Sequence, residues 1–354
     1  MYGKKRVSAE SFTSFVLTWN ETFQFFKEYA DYHFIEGVTH NVYHTYTHNP
    51  QVDYLKPGTS FGGGIGAPFL RVQTWWPYMK NLSTYLARCT YMLESGRPVS
   101  DVLWYLGDEI SHKPDQDFEL PEGHRYDYCN PDVLLNRLSV KNGKLVTPEG
   151  IEYAFMWIPD NKRMLPETIE KLRELIVEGA KVAAVAPKSI ATLSGGEESK
   201  KRYDAAVSNL WGNAAEGDVV TLGKGQLLCS TDIDKALEMY APRPDVQGAV
   251  RWLHRQDKNK DWYFVTPLKQ SSFKGQVTFN AVGAVELWDA VTGEAVPLKA
   301  ECNDGYTTVE LDMPQAGSCF IVFDKKKKHV NPQESEYTGS MNLSSDWTVS
   351  FPEG

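Results

Sequence analysis

The spacing of hydrophobic positions changes character along the chain, and the changes divide it into parts. Near the start, residues 6–9 read as a short strand that ends at Glu10. Phe23, Phe26, Ala30 and Phe34 then recur at three- and four-residue intervals, which predicts a helix over 22–34 with Gly37 as its stop. Residues 38–46 read as a second strand. Strand, helix and strand in this order form a βαβ unit, because parallel pairing needs such a crossover. A loop follows over 47–71, with Pro50, Pro57 and the run Gly62-Gly63-Gly64. Loops of that length inside compact domains usually carry function. Trp75, Met79, Leu82, Leu86, Cys89 and Leu93 mark the clearest helix, closed by Gly96 and Pro98.

From residue 102 strands and helices alternate. Strands are predicted at 102–106, 153–158, 181–185, 218–222 and 226–229. Helices are predicted at 131–138, at 166–178 between Pro166 and Gly179, and at 204–211. The pattern is that of a doubly wound, flavodoxin-like or Rossmann-like domain. After about residue 242 the period switches to two. Short strands at 262–265, 275–279, 284–288, 307–311 and 319–323 predict a small antiparallel β-sandwich. The tail is polar until Trp347, Val349 and Phe351 and reads as a linker and the start of a further β-domain. The expected domains are therefore 1–95, 96–240, 241–330 and 331–354.

Composition narrows the functions. The 354 residues are too many for one ordinary domain. A formal net charge of −9 argues against non-specific nucleic-acid binding, and the one basic run, Lys325 to Lys328, is short. Cys89, Cys129, Cys229, Cys302 and Cys319 include no CxxC pair, which speaks against a disulfide framework or structural zinc. No stretch is apolar enough to span a membrane. The glycine run lacks the Gly-Lys-Ser/Thr ending of a phosphate loop, and the first doubly wound strand leads into Gly107-Asp108-Glu109 and not into G-x-G-x-x-G.

Candidate chemistry lies at the ends of the first two strands. A carboxylate such as Glu10 at a barrel strand's C-terminal end suits acid or base work on a glycosidic bond. Asn41, His44 and His48 follow on the second strand, where amide and imidazole offer both donors and acceptors to sugar hydroxyls. His44 and His48 are four apart, but a metal pair at that spacing favours a helix and this run is strand then loop. Trp75 and Trp76 are adjacent, so at most one faces a sugar while the other packs. Trp75 is taken as the substrate-binding candidate.

These blocks resemble the α-L-rhamnosidases of glycoside hydrolase family 106. The resemblance is carried by Val7-Ser8-Ala9-Glu10-Ser11-Phe12, by Glu36-Gly37-Val38 through His44-Thr45-Tyr46-Thr47-His48, and by Gln73-Thr74-Trp75-Trp76. It continues through Tyr126-Asp127-Tyr128-Cys129-Asn130 and, more loosely, Glu286-Leu287-Trp288-Asp289 with Thr292-Gly293-Glu294. The sequence departs from the family pattern at Thr39-His40-Asn41-Val42-Tyr43 and after Pro57. The resemblance implies the last βα units of a (β/α)₈ barrel followed by the two accessory domains. It implies an inverting, calcium-assisted hydrolase of terminal α-L-rhamnose, with Glu10 as general base. It further implies that the general acid and calcium ligands lie upstream of Met1, that the isolated chain is inactive, and that an export signal, if any, precedes it. A signal there would make the protein periplasmic or secreted.

Two other readings stand beside this one. The chain could be a non-catalytic carbohydrate-binding or oligomerisation module, with homo-oligomers formed through the doubly wound domain. It could also be an amidotransferase-like enzyme, but that needs a nucleophile elbow. Cys89 falls mid-helix and Cys129 precedes Asn130 with no glycine-rich turn.

Overall fold

The computed structural model describes residues 2–14, 21–46, 69, 73–109, 120–159, 162–241, 243–268, 271–333, 339–342, 344 and 347–350. The first unit is the expected strand, helix and strand. β1 (Ser8–Ser11) pairs in parallel with β2 (His40–Tyr43), Glu10 opposite Val42 and Ser11 opposite Tyr43. The crossover is α1 (Phe23–Ile35), whose N-cap Thr22 accepts a hydrogen bond from the Phe25 amide. α2 (Met79–Glu94) buries Leu82, Tyr85, Leu86, Cys89 and Leu93, the stripe its spacing predicts. β2 is shorter than its apolar pattern: the paired strand ends at Tyr43.

The middle unit is a six-stranded sheet. In spatial order its strands are Val219–Leu222, Gly225–Leu228, Lys181–Ala183, Phe155–Trp157, Val102–Tyr105 and Tyr126–Cys129. All pairings are parallel except that of the first edge strand. Period-two alternation sends Leu103 and Tyr105 to one face, against α3 (Pro131–Asn136), α4 (Pro166–Glu178) and α5 (Gly196–Trp211). Val102 and Trp104 go to the other, with Phe155 and Trp157, against α6 (Ile233–Tyr240). Both faces are covered, which is why these strands read as unbroken apolar runs.

α5 begins at Gly196, two turns before the apolar pattern starts. Glu197, Glu198, Lys200 and Lys201 fill those turns and leave no hydrophobic periodicity to read.

Two small sheets flank the middle unit, a three-stranded one of Ser139–Lys141, Lys144–Val146 and Glu152–Tyr153 and a two-stranded one of Arg163–Met164 and Ser189–Ile190. Two larger antiparallel sheets follow. The four-stranded one contains Val246–Gln247, Phe273–Phe279, Tyr306–Met313 and Ala300–Asn303. The six-stranded one contains Ala295–Pro297, Ala284–Trp288, Cys319–Asp324, Lys260–Pro267, Val250–Gln256 and Arg97–Pro98. They share a core of Tyr263, Val277, Phe279, Leu311, Ile321 and Phe323. The opposite face of the six-stranded sheet, with Phe264, Phe320 and Val322, packs on Phe34 of α1 and Leu86 of α2. A sheet covered on both sides again explains an all-apolar strand, Cys319-Phe320-Ile321-Val322-Phe323.

Polar fasteners tie the units together. Lys27 on α1 reaches Asp31 at 2.7 Å, the Ala316 carbonyl at 2.7 Å and Ser318 at 2.6 Å. The Tyr85 hydroxyl of α2 donates to the same Asp31. Two buried guanidinium groups take up backbone carbonyls at the helix ends. Arg125 donates to Ile35 of α1 at 2.7 Å and to Trp252 at 2.6 Å. Arg255 donates to Ser95 and Gly96 after α2, at 2.7 and 3.2 Å. Such charge at a helix C-terminus also complements the macrodipole. Gly96 has φ +62°, and a Cβ there would lie 2.4 Å from the Trp262 ring, so only glycine fits.

Candidate functional site

The ends of β1 and β2 are built around an aromatic cluster. The Phe12 ring lies 5.2 Å from Phe26 and 5.6 Å from Tyr43, and Phe69 lies 4.9 Å from Tyr43. Phe12 has φ +73°, in the left-handed region that a bulky residue seldom adopts. Strand alternation would put Phe12 on the same side as Glu10; the positive φ turns its ring into the core instead. The chain thus spends local strain immediately after Glu10, and outliers of this kind gather at functional sites.

Glu10 lies on the face of β1 away from the helices and is exposed. Thr13 donates a hydrogen bond to its Oε1 at 3.0 Å, which orients the carboxylate. Val42, its neighbour across the ladder, is also exposed, at 47%. His44 follows β2 directly, and its amide donates to the Ser11 carbonyl at 3.0 Å, extending the ladder by one bond. Glu10 and His44 are thereby carried on adjacent strands at the same end. His48 lies outside the described residues.

Asn41 and Trp75 both make contacts on the helix side of the first unit. Asn41 pairs with Ala9, so it shares the helix-facing side with Ser11. Its Oδ1 accepts from Ser11 Oγ at 2.8 Å and lies 3.1 Å from Nδ1 of His33 on α1. Ser11 and His33 were not visible as partners in the sequence, because strand register fixes the pairing and register is not written in composition. The Trp75 ring is packed among Phe23, Phe26 and Phe69 at 5.6 to 5.8 Å. Trp76 is the member of the pair that approaches the loop after His44, 6.1 Å from the half-exposed Tyr46.

Among the described residues, the middle sheet shows no comparable exposed carboxylate at a strand end. At the C-terminal end of Val102–Tyr105, Asp108 accepts from the Leu165 amide at 2.8 Å, from Thr168 at 2.7 Å and from the Tyr105 hydroxyl. Its carboxylate fills the place beside the α4 N-terminus where an anionic ligand would bind in a doubly wound sheet. Burial pushes the Cys129 thiol up to about 12, so it is held as the thiol and not as a nucleophile. The amidotransferase reading loses its support.

Calcium needs several converging oxygen ligands. Among the described residues no three His, Cys, Asp or Glu side chains converge, so these carboxylates do not by themselves fit the ion. No helix among the described residues is long and apolar enough to cross a membrane.

Residues 1–301 match the family model of the alpha-L-rhamnosidases, glycoside hydrolase family 106. The chain belongs to that family. A rhamnosidase from Novosphingobium sp. PP1Y has the same fold as this family 106 chain, with a TM-score of 0.87 and 28% identity over 97% of it. A Formosa agariphila protein provisionally named beta-glucuronidase is 31% identical over 92% of the chain. The family 106 chain spans 34% of the first relative and 27% of the second. A family 42 beta-galactosidase from G. stearothermophilus shares the fold alone, at a TM-score of 0.53 and 12% identity.

Proposed function

We propose that this chain carries part of the active site of a glycoside hydrolase that removes terminal α-L-rhamnose with inversion. Residues 1–95 supply two strand–helix units of a (β/α)₈ barrel, 96–240 a doubly wound accessory domain and 241–330 a β-sandwich. The observation that carries the reading is Glu10, one residue before the end of a parallel strand, on the face away from the helices, with one oxygen held by Thr13. In this reading Glu10 is the general base. Its carboxylate takes a proton from water, and the water oxygen forms a bond to the anomeric carbon. The glycosidic C–O bond breaks on the opposite face, and a second carboxyl group protonates the leaving oxygen, about 6.5–9.5 Å from the first. His44 and Trp76 border the sugar. Asn41, with Ser11 and His33, locks β1 to β2 from the helix side and is a positioning residue.

The name of the Formosa relative favours a second substrate, a β-glucuronide. Hydrolysis of aryl α-L-rhamnoside and aryl β-D-glucuronide by the full-length protein separates the two. The reading expects rhamnoside cleavage that first releases β-L-rhamnose, seen by proton NMR, and its loss in Glu10→Gln. Unchanged hydrolysis in Glu10→Gln would instead favour the accessory-module alternative.

A further inference from the structure

A cavity of about 740 Å³ opens between the outer face of α2 and the turn that follows strand Ala284–Trp288. It is far from empty of chemistry. Trp288 forms part of its wall, with the indole N–H committed to Glu286 at 2.8 Å and the Lys260 ammonium 5.0 Å from the ring centre. The ring is thus fixed in place before any ligand arrives. Tyr91 on α2 adds a second aromatic wall and is 73% exposed, so its ring is open to a ligand.

The polar side of the cavity is equally prepared. Arg88 Nη1 donates to the carbonyls of Ala290 and Val291 at 3.0 and 2.7 Å, which clamps the guanidinium and leaves other N–H groups of its fork for a ligand. Gly293, at φ +83°, gives the turn the room it needs: a Cβ there would stand 2.5 Å from Arg88 Nη2. Asp289 holds the turn through the Val291 amide at 2.7 Å and the Thr292 hydroxyl at 3.0 Å. Glu294 stands exposed on the cavity rim as an acceptor.

We infer that this cavity is a second saccharide site, which seats a pyranoside ring against Trp288 and Tyr91. The chemistry matches on both sides of the ligand. A pyranoside presents apolar C–H groups to an aromatic wall, and its neighbouring hydroxyls require a donor and an acceptor side by side. Arg88 donates and Glu294 accepts. The volume lies within the roughly 300–1,000 Å³ of small-molecule sites. Neither the Glu10 carboxylate nor any residue of the proposed catalytic face lines it, so the site binds without cleaving and would hold a polymeric substrate near the enzyme.

The test uses methyl α-L-rhamnopyranoside on the full chain, followed by saturation-transfer NMR and calorimetry. Binding is expected to persist in Glu10→Gln and to weaken several-fold in both Tyr91→Ala and Glu294→Ala. Tyr91 and Glu294 are exposed, so these variants fold, and a melting scan confirms it. The glycoside failing to bind, or binding equally to wild type and both variants, overturns the inference. Amide hydrogen exchange of the full-length protein gives an independent arm. Strong sugar-independent protection of residues 83–92 and 288–294 would show the cavity filled by polypeptide and would also overturn it. Because binding is read without hydrolysis, failure here is distinct from failure of the catalytic reading.

Discussion

His254 makes the stability of the fold depend on alkaline pH. It is fully buried where the antiparallel sheet meets the middle unit, and both ring nitrogens face carboxylates. Nδ1 lies 2.7 Å from Asp245 and Nε2 lies 3.2 Å from Asp261. Tyr263 stacks on the imidazole at 4.0 Å and donates to Asp245, and Lys325 lies 2.9 Å from Asp261. Burial by itself would lower the imidazole pKa, but the two carboxylates outweigh it and push the group up to about 9. The folded value therefore exceeds the ordinary one of 6.5, and the stabilisation is complete below pH 6.5 and lost as pH rises through about 9. At about 1.4 kcal/mol per tenfold, the interval amounts to at most about 3–4 kcal/mol. Urea unfolding between pH 6.5 and 9.5 should show a falling midpoint in wild type. His254→Gln should unfold earlier at pH 7, because it leaves two buried carboxylates short of a partner, and should lose most of the pH slope. A flat wild-type profile, or an equal slope in the variant, would refute the assignment of charge to His254.

Three further outcomes follow from the packing. Arg125→Met should cost about 2–4 kcal/mol in chemical unfolding, since it strands the carbonyls of Ile35 and Trp252. Trp75→Ala and Trp76→Ala should both destabilise, by about 1–3 kcal/mol, because both half-buried rings pack on the same cluster, and only Trp76→Ala should also raise KM. Asp108→Ala should cost about 1–3 kcal/mol in thermal unfolding by freeing the Leu165 amide and the Thr168 hydroxyl.

Much of this was readable from the sequence where one face of an element is buried and the other wet. The α2 stripe and the Pro166 and Gly179 ends of α4 are of this kind. Family membership was legible in the blocks around Glu10 and His44. Other features depend on distant partners. The strand Tyr126–Cys129 is hidden by its polar Asp127, whose carboxylate is taken up by Tyr153 at 2.7 Å. α6 is one short amphipathic stretch whose face is explained only by the sheet it covers. The placing of Asn41 required the register of β1 on β2, and the packing of Trp75 required the Phe23, Phe26 and Phe69 cluster. Neither follows from local spacing.

The most direct test of the account is azide rescue of Glu10→Ala in the full-length protein. Removing a general base should depress hydrolysis of an aryl α-L-rhamnoside by roughly 10²–10⁴. Azide needs no deprotonation, so it should restore turnover and yield β-L-rhamnosyl azide. Activity in Glu10→Ala within a few-fold of wild type, or an azide product of retained configuration, would contradict the assignment of Glu10 as the base.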